Sequence, residues 1–236
     1  MRQTIKLFQI GLRQITRDGM LFALVPVPAI IGLLFKLAIP FANRIVEERL
    51  SFTLTSWYGL VDGALICLTP MLTAMITAFL LLEERDEGIS AFYQVTPTAG
   101  YSYMIARIGF PMVWTVCLTI IITLICGLSG LSLMATLCSS FISALMGIAL
   151  AMMVVTMAAN RVEGLALSKL MGISLLGLVA VWVIPAPYDY FLAFLPSFWI
   201  GKIITEGLGP FSLTMALPLC AIWIFVFARR FQTRLA

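Results

Sequence analysis

Residues 57–82 read WYGLVDGALICLTPMLTAMITAFLLL, and residues 83–88 read EERDEG. The first stretch carries a single charge, Asp62. As a helix it would be about 39 Å long, more than the ~30 Å hydrocarbon thickness of a bilayer. It predicts a tilted transmembrane helix that stops abruptly at four acids and one arginine. Outward from it, five more apolar runs reach span length, at 20–39, 103–127, 131–157, 165–184 and 211–228. Pro26 and Pro28 should kink the first of these or break its inner half.

Composition agrees. Of the 236 residues, 61 % are hydrophobic and 11 % charged, against ~45–50 % and ~25 % in an ordinary soluble domain, and the mean hydropathy is +1.06. The fold class is an all-α membrane protein with six spans in one transmembrane domain, 1–236. Histidine is absent, which excludes Ser-His-Asp and Cys-His dyads and His-ligated metals. Cys67, Cys117, Cys126, Cys138 and Cys220 form no CxxC pair and read as small apolar residues. No GxxxxGK[ST] loop is present, so the chain cannot hydrolyse a nucleotide through a P-loop.

The positive-inside rule orients the spans. With the N-terminus cytoplasmic, 11 of the 15 Lys and Arg fall inside and four outside (Lys36, Arg44, Arg49, Lys202). Both termini are therefore expected in the cytoplasm. Trp57, Tyr58, Trp182, Tyr188, Tyr190 and Trp199 fall at the outer interface. Residues 2–17 place Ile5, Phe8, Leu12 and Ile15 on one helical face and Arg2, Lys6, Gln9, Arg13 and Arg17 on another. That pattern describes a helix lying in the inner headgroup layer; a charged leader that only fixes topology is the alternative.

The cytoplasmic pieces are too short to fold as domains. Acids in 83–87 should be repelled by anionic lipid. Residues 89–95 then form a short apolar helix stopped by Thr96-Pro97. Ile89, Phe92, Tyr93 and Val95 would be exposed on it, as a knob for a partner's groove, or the helix lies flat on the bilayer. Asn160, Arg161 and Glu163, in the loop 160–165, are a second contact or a simple turn. On the outer side, 185–210 is too apolar for a solvated loop and too broken for a span. It reads as a re-entrant hairpin with Pro196 near its turn, or as a helix lying on the interface.

Asp62, the one ionisable residue read as lying inside a span, should face protein or a wet cavity. It pairs with Lys36 or Lys202, caps the hairpin's amides, or attracts a cationic substrate. With Pro196, Phe198 and Trp199 it is expected to form an outer gate. Met71, Met75 and Phe79 recur every fourth residue, as an adaptable substrate path or as ordinary packing. Ser139, Ser143, Gly147 and Ala151, and Gly164, Ser168 and Gly172, mark close helix approach.

Glu84-Arg85-Asp86-Glu87-Gly88 followed by Val95-Thr96-Pro97 resembles the coupling-helix motif in permease subunits of type-2 ABC exporters. With residues 82–89 and 160–165, the chain looks most like bacterial permeases of fluoroquinolone export. The resemblance implies an elbow helix at 2–17, a coupling-helix loop at 83–100 and a re-entrant hairpin at 185–210. It implies ATPase-coupling roles for Glu84, Arg85, Asp86, Gly88, Ile89, Phe92, Tyr93 and Val95. It further implies two ABC ATPase subunits carrying ATP and Mg, and a second permease, identical or paralogous. This chain would be non-catalytic, holding no cofactor or metal and binding no nucleic acid, in the bacterial cytoplasmic membrane. Its cargo would be a small amphipathic drug, antibiotic or lipid-like molecule. Two rivals stand beside this reading. An ion-coupled secondary transporter would carry ionisable residues and repeats in mid-membrane. A lipid-metabolism enzyme would need acids spaced for a metal, and Glu83, Glu84, Asp86 and Glu87 are nearly consecutive.

Overall fold

The computed structural model describes residues 2–50, 52–88 and 105–235. Among them every regular element is helical. α1 (Arg2–Arg17) is the amphipathic helix expected from its two faces. Asp18 then caps α2 (Gly19–Leu24), accepting the Met20 and Leu21 N–H groups at 2.8 and 3.1 Å. The chain breaks at Val25 and Pro26 and resumes as α3 (Val27–Leu50). Proline cannot supply the N–H that an uninterrupted ladder needs, so the break falls where expected. α3 runs past the apolar limit at residue 39, through Pro40 to Leu50. Its added turns place Arg44 and Glu48 at helical i,i+4 spacing, a polar continuation that apolar length alone does not detect.

After a 3-10 turn (Leu54–Trp57), α4 (Tyr58–Asp86) follows the quoted stretch and takes in the first acids. A π-helical turn, Ile105–Gly109, leads into α5 (Phe110–Cys126), and α6 spans Leu133–Met157. α7 (Arg161–Ser168), a 3-10 stretch (Lys169–Leu175) and α8 (Leu176–Val183) together make one span. A 3-10 turn (Tyr188–Leu192), α9 (Pro196–Glu206) and α10 (Pro210–Leu235) complete the described chain. Six segments are long and apolar enough to cross a membrane: Gly19–Arg49, Leu54–Asp86, Ala106–Cys126, Leu133–Met157, Arg161–Val183 and Pro210–Arg230.

Two of these form the centre. The apolar windows of the α4 and α6 spans are 78 % and 72 % buried, against 11–33 % for the other four. The flanking helices turn apolar side chains outward, as lipid-facing helices do. Lipid is as apolar as leucine, so close packing and hydrogen bonds hold such a bundle together. At Gly147 a Cβ would meet Pro70 Cβ and O at 3.0 Å, so glycine sets the α4–α6 approach. Around Pro70, Thr69 Oγ1 donates to Leu65 O at 2.9 Å and Thr77 Oγ1 to Thr73 O at 2.9 Å. The Thr115 hydroxyl reaches Thr73 Oγ1 at 2.8 Å, joining α5 to α4. The second small-residue stripe is only partly used: Gly164 abuts Leu82, whereas Gly172 faces open space. All five cysteines are free.

Replacing Gly147 with Leu should overpack this contact and destabilise the chain by about 1–3 kcal/mol. Gly147→Ala should do so less. Denaturation midpoints in detergent check this, and an unchanged midpoint for Gly147→Leu would contradict the close approach.

Candidate functional site

The end of the bundle expected to be cytoplasmic is tied together by charge. Glu84 and Arg107 are 1 % and 2 % exposed. Arg107 donates Nε–H to Glu84 Oε2 at 3.1 Å and Nη2–H to Glu84 Oε1. The same Nη2 lies 3.3 Å from Gln14 Oε1 of α1. Planar guanidinium against carboxylate gives two parallel charge-assisted bonds, which a lysine could not reproduce. Arg107 is carried on the π turn, whose extra residue per turn re-aims side chains. One residue along from Glu84, Arg85 turns the other way, donating to the carbonyls of Val155 and Ala158 at 3.1 and 2.7 Å. It thus satisfies the C-terminus of α6, where cations are favoured.

α7 joins the same knot. Asn160 Oδ1 accepts the Glu163 N–H at 2.9 Å, while Glu163 Oε2 reaches back to the Ala159 N–H at 2.6 Å. This reciprocal capping starts a helix at Arg161, so 160–165 is neither a loop nor a simple turn. The Asn160-x-x-Glu163 spacing was the available signal. Asp86 accepts the Arg161 N–H at 3.0 Å, Arg161 pairs with Asp18, and its Nη1 lies 3.5 Å from Glu83. The Arg161 guanidinium holds the Asp18 carboxyl below its ordinary 3.8, against the raising effect of burial. This tie therefore contributes above the unfolded value of about 3.8 and is lost as pH falls through the lower folded value.

The residues expected to meet an ATPase thus divide. Glu84 is buried and Arg85 faces α6, so neither presents its charge outward. Asp86 is exposed, and Gly88 is exposed with φ +73°, the left-handed conformation that stops α4. Ile89, Phe92, Tyr93 and Val95, with the rest of 89–104, lie outside the described residues. Asp18, Gln14 and Arg107 were not singled out from the sequence. Arg107 lies within the predicted span 103–127, as Lys36 and Lys169 lie within 20–39 and 165–184, so reading Asp62 as the sole ionisable group within a span overlooked them.

At the opposite end Asp62 is buried and accepts the N–H groups of Leu128 and Ser129 at 2.9 and 2.7 Å, together with the Ser129 hydroxyl. It caps the α5–α6 turn, and both expected cations are engaged elsewhere. Lys36 donates to Ile125 O at 2.6 Å, closing the end of α5. Lys202 sits 2.9 Å from Asp189 Oδ2 and 2.7 Å from Glu206 Oε1. Pro196 opens α9; Phe198 and Trp199 are buried on it, 5.3 Å apart and edge-on. Trp199 Nε1 donates to Ala193 O at 2.8 Å, in the chain reversal just before Pro196. Of the expected path, Phe79 is fully buried in the core, while Met71 and Met75 pack at its edge. For Phe79 ordinary packing is what the structure shows.

Six apolar spans closed by a buried ionic knot define a multi-pass, all-α membrane protein; the described residues contain no cluster of three His, Cys, Asp or Glu able to hold a metal. The family model described as "Fluoroquinolones export permease protein Rv2686c-like" matches residues 11–229, and the chain belongs to that family. It is similar to two Mycobacterium tuberculosis proteins named fluoroquinolones export permease protein, MT2760 of strain CDC 1551 / Oshkosh and Rv2686c of strain ATCC 25618 / H37Rv. Each is 26 % identical over 227 residues, covering 92 % of this chain and 89 % of the relative.

Removing one member of the buried pair takes a buried counter-charge from the other. Arg107→Met is expected to destabilise by about 3–5 kcal/mol, and Glu84→Gln with Arg107→Met together by less than the sum of the two single changes. Unfolding midpoints of the four proteins form the cycle. Strict additivity would deny the coupling.

Proposed function

We propose that this chain is the membrane-spanning subunit of an ATP-driven ABC exporter. Its cargo is a small amphipathic molecule, of the fluoroquinolone kind its relatives are named for, moved across the bacterial cytoplasmic membrane. Family membership supports an export permease, and one geometric observation supports the coupling mechanism. The Glu84–Arg107 pair bonds the last turn of α4 to the turn that leads into α5. Both ends of the intervening segment thereby rest on one stiff base. Through Gln14, Arg85 and Arg161 that base also holds α1, α6 and α7. Force applied to the segment reaches five helices at once.

In this reading Ile89, Phe92, Tyr93 and Val95 dock into an ATPase, and Glu84 and Arg85 are the mount rather than the contact. Asp86 and Gly88 shape the exit from α4, and Asn160, Arg161 and Glu163 fix α7 beside it. Two ATPase subunits hold ATP and Mg and alternate between nucleotide-biased states. A second permease subunit completes the path. α1 is the elbow helix, and the segment 185–210 is the re-entrant outer element. Asp62, Pro196, Phe198 and Trp199 hold the outer gate closed, and Met71 and Met75 border the path.

The decisive experiment is co-purification with a candidate ABC ATPase and reconstitution in proteoliposomes. Fluoroquinolone transport is expected with ATP and no proton gradient, with drug-stimulated hydrolysis. Transport driven by a proton gradient without ATP would overturn the reading. Phe92→Asp should lower transport per ATP by about tenfold, the size of a modest coupling free energy, while the chain still folds. For orientation, single cysteines at Tyr188, which is 74 % exposed, and at exposed Glu87 separate the two faces. An impermeant thiol reagent on whole cells should label the first and not the second; the reverse pattern would invert the topology.

A further inference from the structure

A cavity of about 330 Å³ lies between α1 and the bundle. Its wall includes Leu12 and Ile15 of α1, Val25 and Pro28 at the break before α3, Leu80 of α4 and Trp114 of α5. The break between α2 and α3 borders it. Leu12, Val25 and Trp114 are 51 %, 39 % and 58 % exposed, so the cavity opens on the apolar outside of the bundle.

Its size falls in the range of small-molecule sites, but its chemistry excludes most small molecules. The hydroxyls in the wall belong to Thr73 and Thr77, and both are already bonded. Thr73 Oγ1 lies 3.1 Å from Pro70 O and receives Thr115, and Thr77 Oγ1 donates to Thr73 O. Neither is among the buried polar atoms without a partner. Each hydroxyl has spent its one hydrogen and can only accept, so a polar solute inside would give up most of its hydrogen bonds. A hydrocarbon chain loses nothing there.

Charge indicates what such a chain is attached to. Arg13 and Arg17 are exposed on α1, beside the wall residues Leu12 and Ile15, and among the described residues their side chains form no ion pair. On an amphipathic helix at the membrane surface, unpaired cations attract anionic headgroups. We propose that the cavity is a binding site for one acyl chain of an anionic phospholipid, whose phosphate meets Arg13 and Arg17. Because α1 also places Gln14 on Arg107, the lipid would brace the ionic knot from the membrane side.

The test uses the full chain purified in mild detergent and native mass spectrometry with added phosphatidylglycerol or phosphatidylcholine. One phosphatidylglycerol per chain should survive activation that strips the remaining lipid. Val25→Phe and Leu12→Phe fill the mouth from exposed positions and should lower that occupancy by about tenfold, equivalent to ~1.4 kcal/mol. Arg13→Gln with Arg17→Gln should abolish the preference over phosphatidylcholine, and these surface changes decide the matter alone if a filling variant fails to fold. A graded lipid distribution unmoved by Val25→Phe would overturn the site, as would equal retention of the two lipids. Displacement by a fluoroquinolone would assign the cavity to the cargo instead. No outcome depends on ATP or transport, so the site and the exporter reading fail separately.

Discussion

A carboxylate and a guanidinium, each all but removed from solvent, hold one end of this bundle together. Either charge alone would be costly at that depth, and the two persist because each neutralises the other in good geometry. Arg107 also meets Gln14, so the pair fixes the seat of the amphipathic helix as well as the ends of the segment between α4 and α5. The neighbouring charges extend the same principle. Arg85 closes the carbonyls of α6, and Arg161 gathers acids from α2's cap and α4's last turn. A cluster that looks like a charged surface patch is mostly an internal fastening.

The interior of the bundle is consistent with that economy. Within hydrocarbon there is little to gain from burying one apolar side chain against another rather than against lipid. Specific contact comes from glycine against proline where α6 meets α4, and from threonines that satisfy carbonyls near Pro70 and reach across to α5. At the far end Asp62 and Lys36 do for the α5–α6 turn what Glu84 and Arg85 do for the charged end. Helical regularity is interrupted at three places: the proline break beside the cavity, the π turn under Arg107, and the 3-10 stretch between α7 and α8. Each releases a side chain from the direction that an unbroken helix would impose.

Much was legible from residues in order. The six spans, the break at Pro26 and Pro28 and the amphipathic α1 are all one-dimensional properties, because a bilayer demands length and apolarity from each helix separately. The run 83–88 also identified where the chemistry of the charged end concentrates. The misses share a cause. α3 extends to Leu50 because polar turns propagate a helix once it has begun, and α7 starts at Arg161 because two side chains cap it. Phe79, for which packing and path were both open readings, lies in the core; spacing names a face without naming what covers it.

By itself, then, the sequence determined that this is a six-span helical membrane protein with a charged end built around residues 83–88, since those features depend on local composition and the thickness of the bilayer. Only the tertiary structure decided which charges meet. Glu84 finds Arg107 across 23 residues, Arg85 finds Ala158 across 73, and Asp62 finds Ser129 across 67. In one dimension the run 83–87 reads only as consecutive charges. Side-chain direction on a helix turns by about 100° per residue, so neighbours that read alike are sent to different partners once the helices pack.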